Sequence, residues 1–155
     1  MKTGLLLAAA LFLAAFIYFR PHPGFVLSDN PLEKADTIRI DRPGMAEILL
    51  EKKGPNWEIG KPARGLARPE AVRNVLSILE AKSEKKLDAT DLSRFGLDRP
   101  VLRLFIDNEE FDFGMLNPVT GQQYVKKGNS VYLISAGYGL IPALSELEAD
   151  RAGAS

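Results

Sequence analysis

The chain has 155 residues, 46% of them hydrophobic and 26% charged, and its 20 basic and 20 acidic side chains cancel. That length bounds it to one compact domain or two small ones, and the balanced charge speaks against nucleic-acid binding, which needs a basic excess or stripe. The absence of cysteine and the single histidine, His22, exclude disulfides, thiolate metal sites, thiol nucleophiles and any centre built on two imidazoles.

The averages conceal a split. From Gly4 to Phe19, 15 of 16 residues are apolar and none is charged, with Lys2 before the run and Arg20 closing it. A membrane-spanning helix needs about 17–25 such residues. Thr3 to Phe19 supplies 17 without a charge, while Arg20 can snorkel and Tyr18 can sit among headgroups. A cleaved signal peptide is the second reading, but Arg20-Pro21-His22-Pro23 stands where a small-x-small cleavage site should follow. A buried core helix is the third, and the run lacks the polar face it would need. Residues 1–20 are therefore expected to be an uncleaved signal-anchor whose N-terminus stays on the cytoplasmic side. Within it Gly4 and Ala8 have the small-xxx-small spacing that lets helices approach closely in lipid. The plainer reading is alanine-rich filler that produces such spacings by chance. From Pro21 onward 18 basic and 20 acidic side chains leave a net charge of −2, as expected for a mildly acidic soluble domain.

Residues 21–35, with Pro21, Pro23 and Pro31, are expected to form an extended tether, because proline disfavours helix in the residue before it. His22 lies in this stretch and is expected to be inert. Residues 36–148 then read as one α+β domain. Period-two alternation predicts a three-strand meander through Thr37–Asp41, Glu47–Lys53 and Trp57–Ile59, with turns at Arg42-Pro43-Gly44 and Gly54-Pro55-Asn56. Trp57 shares a face with Ile59 and is expected in the core. Pro69 opens a helix whose stripe is Val72, Val75, Leu76 and Leu79, expected to end near Ser83–Lys86. A single turn capped by Thr90 and ended by a left-handed Gly96 makes a structured corner through Pro100. A second meander covers Val101–Ile106, Glu109–Gly114, Gln123–Lys127 and Ser130–Ile134. A closing helix, Tyr138–Glu148, carries Ile141, Leu144 and Leu147 on one face, and residues 149–155 form a frayed tail. Each meander contains a Lys-Lys-Gly turn (Lys52-Lys53-Gly54, Lys126-Lys127-Gly128), a weak sign of a duplicated β-meander–helix unit with two packed helices.

No arrangement of reactive residues meets the requirements of a catalytic site. A serine triad lacks its histidine. Glu109, Glu110 and Asp112 are expected to be edge-strand charges that keep a hairpin soluble rather than paired catalytic carboxylates. Gly137-Tyr138-Gly139 lacks the remainder of a phosphate loop. No metal or cofactor is implied. The loop Met115–Gln122 is longer than a hairpin needs and mixes apolar residues with turn formers. Met115, Leu116, Pro118 and Val119 are thus candidate interaction residues. The alternative is a loop folded back over the sheet edge.

Trp57-Glu58-Ile59 with Pro62, the helix that follows, Phe95-Gly96-Leu97-Asp98-Arg99-Pro100, Gly114, Gln123-Tyr124-Val125 and Val131-Tyr132-Leu133-Ile134 resemble the bacterial family called domain of unknown function 4340, over residues 37–134. Its most specific element is the aromatic-Gly-Leu-x-x-Pro corner. The resemblance implies one N-terminal membrane anchor and, for some members, a link to ABC-type export or gliding-motility systems; the charges flanking the apolar run then place the remaining domain in the periplasm or exterior. It implies no catalytic residue. The expected role is a non-enzymatic accessory or structural subunit of an inner-membrane complex, partnered by an integral membrane protein and not by nucleic acid. A periplasmic module that binds a small molecule, glycan or lipid, in association with an ABC-type transporter, is the alternative.

Overall fold

The computed structural model describes residues 24–149. The expected anchor, with Gly4 and Ala8, lies outside them. No helix among the described residues is long and apolar enough to cross a membrane.

The domain is α+β, with antiparallel sheets and two helices. In chain order its elements are β1 (Phe25–Val26), β2 (Thr37–Asp41), β3 (Ile48–Lys53), β4 (Asn56–Lys61), β5 (Gly65–Leu66), α1 (Pro69–Leu76), β6 (Lys82–Ser83), β7 (Lys86–Asp88), β8 (Leu102–Ile106), β9 (Glu109–Leu116), β10 (Gln123–Lys127), β11 (Ser130–Ile134) and α2 (Leu144–Leu147). Nine strands form one sheet in the order β5-β4-β3-β2-β8-β9-β10-β11-β7, and β1 pairs with β6 in a separate ribbon. Each meander grows outward from the centre, where β2 and β8 pair with Arg39 opposite Phe105. The Lys-Lys-Gly turn joins the second and third strands of the first meander but the third and fourth of the second.

Alternation sets the two faces. Ile38, Ile40, Leu50, Ile59, Leu104, Ile106, Phe111 and Phe113 are buried on one face, beneath Val72, Val75, Leu76, Ile78 and Leu79 of α1 and the turn after it. Trp57 packs against this core, as its spacing from Ile59 predicts. Truncating one buried phenylalanine typically costs about 3–5 kcal/mol. That is a large part of the roughly 5–15 kcal/mol a domain has in all. On the opposite face a smaller cluster of Phe95, Leu97 and Val131 covers only the β10–β11 side.

Both helices are shorter than periodicity predicts. The α-helical ladder stops at Leu76 and a 3-10 turn, Ser77–Glu80, continues it. There the Ser77 hydroxyl donates to the Asn74 carbonyl (2.6 Å), which offers the backbone an alternative bond. The expected helix Tyr138–Glu148 is instead a 3-10 turn (Ala136–Gly139), an extended stretch and the single turn α2. Pro142 lies mid-way, where it removes a donor and bars helical geometry for Ile141. Ile141, Leu144 and Leu147 reach the core even so. Arg42 donates to the Ile141 and Pro142 carbonyls, and Arg68 Nε donates to the Glu148 carbonyl (2.8 Å), so this C-terminal strap is fixed at both ends.

The segment expected as a tether is packed over its described part. Leu27 is buried, its N–H donates to the Ala81 carbonyl, and Leu32–Lys34 form a 3-10 turn. Isolated leucines among prolines show no period, so only tertiary contact reveals their burial. The corner turn runs Leu92–Phe95 and is preceded by Asp91, one residue after the expected cap Thr90. Gly96 has φ +66°, and the Leu97 N–H reaches back to the Leu92 carbonyl (2.9 Å), a Schellman closure.

Gly114 on β9 lies under this corner. A Cβ there would stand 2.2 Å from the Phe95 carbonyl oxygen and 2.9 Å from Leu97 Cγ. Gly121 has φ +69° but open space around it. Gly114→Ala should therefore lower stability by about 2–3 kcal/mol through overpacking, and Gly121→Ala by about 1–2 kcal/mol through backbone conformation alone. Urea unfolding of the two variants checks the order.

Candidate functional site

The β9–β10 hairpin is organised by one side chain. Asn117 Oδ1 accepts from the N–H groups of Val119 (2.9 Å) and Thr120 (3.2 Å), and its Nδ2 donates to the Tyr124 hydroxyl (2.8 Å). The Asn117 N–H donates to the Gln122 carbonyl (2.7 Å), and the Gly121 N–H to the Asn117 carbonyl (2.8 Å). This asparagine-centred turn satisfies the backbone locally. It leaves Val119 90% exposed, Leu116 53% and Met115 46%, with Pro118 exposed beside them. The loop thus projects from the sheet and does not fold back over its edge. Tyr124 in turn packs against Phe95 in a tilted arrangement, with ring centroids 4.8 Å apart, so the hairpin is braced against the corner.

Val101 extends the apolar surface. It is 58% exposed, and its N–H donates to the Phe113 carbonyl, two residues before Met115. Sequence reading missed it as a surface residue because it begins a strand pattern, where core and surface valines look alike. It also lines an open cleft of about 700 Å³ with Pro43, Pro100, Asp41, Asp98, Arg99 and Arg103.

The carboxylates of β9 differ from expectation. β9 lies in the middle of the sheet, not at an edge; Glu110 is exposed to solvent, whereas Glu109 and Asp112 are paired. Asp112 is buried on one face, 3.2 Å from Lys126 Nζ and 3.6 Å from Arg103 Nε. Glu109 points to the other face, where Lys127 and the Ser28 hydroxyl (2.6 Å) donate to it. Successive lysines of β10 point to opposite faces, so the Lys-Lys pair neutralises one acid on each. Lys127 also donates to the Leu27 carbonyl, which clips the N-terminal segment to the sheet. Burial pushes the Glu109 carboxyl up, but hydrogen bonds from Lys127, Ser28 and Asn30 outweigh it and hold the group below its ordinary value.

The Gly137-Tyr138-Gly139 turn has a packing role. Gly139 lies against buried Gln123, where a Cβ would fall 1.8 Å from Oε1, while Gln123 Nε2 donates to the Gly114 carbonyl (3.2 Å). Among the described residues no group of three or more His, Asp or Glu side chains is placed to hold a metal ion.

The family described as domain of unknown function (DUF4340) matches residues 37–148. The chain belongs to this family. No curated protein and no solved structure matches it. The matched DUF4340 range begins with β2 and ends just after α2, so it holds both meanders, the corner and the hairpin. The β1 segment, with Leu27 and Ser28, precedes the match although it is packed on the domain.

Because the folded-state value of Glu109 is depressed, its contribution to stability is present above the unfolded carboxylate value. It is lost as pH falls from about 4.3 through the lowered folded value. Urea midpoints measured from neutral pH into that window should fall more steeply for the native chain than for Glu109→Gln. Parallel curves would count against the clip.

Proposed function

We propose that the chain is a non-enzymatic, single-pass, membrane-anchored periplasmic module that serves as an accessory or structural subunit of a larger inner-membrane protein complex. The observation that carries this reading is the hairpin of Met115, Leu116 and Val119. Met115 and Leu116, at the end of β9, and Val119, on the turn, hold apolar side chains in water, and the backbone bonds of that turn are already satisfied. A preordered apolar surface gives up little conformational entropy on docking. The 16-residue apolar run from Gly4 to Phe19 supports the anchor, and Gly4 with Ala8 offers a second contact face within the membrane. Duplication of a β-meander–helix unit, lengthened by one strand in its second copy, is our reading of the two Lys-Lys-Gly meanders.

The acids of β9 support a non-catalytic role. Glu109 and Asp112 lie on opposite faces and each is committed to a lysine. General acid–base chemistry needs carboxylates that converge on one substrate. The cleft beside Val101 favours the second reading, a module for a small molecule, glycan or lipid working with an ABC-type transporter. Its Arg99 and Arg103 offer donors for an anionic group.

Purification of the full chain from membranes in mild detergent should recover an integral membrane partner at fixed stoichiometry. Leu116→Glu with Val119→Glu should weaken that recovery at least about tenfold, while the melting curve stays close to that of the native chain. A partnerless monomer in repeated purifications, or undiminished recovery with the double variant, would overturn the proposal.

A further inference from the structure

The route by which the chain enters the domain fixes which part of it meets the bilayer. The apolar run ends at Phe19, and Phe25 is already paired in β1 with Ser83 of β6. Six residues of fully extended chain span at most about 20 Å. The β1–β6 ribbon is therefore confined to within that distance of the membrane exit point. The ribbon is fixed to the rest of the domain, because Leu27 is buried and held by Ala81 and Lys127.

The ribbon's surface suits that position. Phe25 is 46% and Val26 48% exposed, one on each face of the ribbon, opposite Ser83 and Lys82 respectively. Beside them Lys82, Lys85 and Lys86 are all exposed, with Glu84 the one acid in the segment Lys82–Lys86. An open cleft of about 810 Å³ adjoins the pair; its lining includes Lys86, the paired Lys127 and Glu109, and the acids Asp29 and Glu110, so the positive charge of this surface comes from Lys82, Lys85 and Lys86 and not from the rest of the cleft. Apolar side chains bordered by lysines match the boundary between acyl chains and anionic headgroups. Ser83 also fixes the ribbon's place on the sheet, since its hydroxyl accepts from the Leu133 N–H of β11 (3.0 Å). The ribbon thus lies at the β11–β7 side.

We infer that Phe25, Val26, Lys82, Lys85 and Lys86 form a contact surface for an anionic lipid bilayer. The contact holds the domain with its β7 side at the membrane and its β5 edge up to eight strand spacings, or at most about 38 Å, away. It rests on the anchoring reading above and adds to it an orientation.

The test uses the full chain reconstituted in vesicles, one set neutral and one containing phosphatidylglycerol. Since the native chain has no cysteine, single fluorophores can be placed through Glu84→Cys, in the ribbon's own segment, and Leu66→Cys, on β5. In anionic vesicles, quenching by headgroup-labelled lipid should be strong at position 84 and weak at position 66. Salt should reduce it. Replacing Lys82, Lys85 and Lys86 together by alanine should lower the ratio of contacting to detached domain by on the order of a hundredfold. Circular dichroism confirms that this variant is folded. A chain that cofloats with vesicles but is quenched equally at 84 and 66, or is indifferent to lipid charge, overturns the contact and leaves the anchor standing. One that fails to cofloat overturns both. A surface reserved for a protein partner would show itself as equal, weak quenching at the two positions.

Discussion

Arg39 and Phe105 face each other across the β2–β8 pairing, with the guanidinium 3.8 Å from the ring centroid. Through that pairing two meanders far apart in sequence become a single sheet. A sheet of this width presents a long apolar face, and α1, at eight residues, extends only about 12 Å. One short helix and a single helical turn cannot cover nine strands. The remaining cover comes from irregular segments, which have to be pinned one by one. Arg42 and Arg68 pin the C-terminal strap, and Lys127 with Glu109 and Ser28 pins the N-terminal one.

These ionic contacts are not equivalent to those on the open face. Glu47 pairs with Arg39 and Lys61 where all three are well exposed, and such pairs contribute only about 0–1 kcal/mol. Asp112 and Glu109 are on a central strand and are less exposed than these outer pairs, so losing either lysine leaves a carboxylate with less water to compensate it. Charge in the middle of the sheet therefore sets the alignment of β9 with β10, whereas charge on the outer strands mainly maintains solubility.

Much of this architecture was legible in the sequence. β2 and β8 show clear alternation, β11 reads as a short apolar run, and the Phe95–Pro100 corner announces itself through Gly96. β1, β5, β6 and β7 are two or three residues long, too short for any period to register, and only their partners define them. Met115, Leu116 and Val119 could be singled out from composition, but whether they fold back or project depends on the Asn117 turn and its bond to Tyr124. Strand order is invisible to local pattern, so the acids of β9 read as edge charges. The burial of Leu27 was hidden for a similar reason, since it is contacts to residues some fifty and one hundred positions away that place it.

The two outermost strands of the main sheet have a consequence of their own. β5 has two residues and β7 three, so neither side exposes a long row of unpaired amides and carbonyls. Strand addition between copies needs such a row. Copies crowded together, whether on a surface or within an assembly, would lack a template for runaway cross-β stacking. At these two sides an approaching chain meets side chains, which can discriminate in a way that backbone ladders cannot.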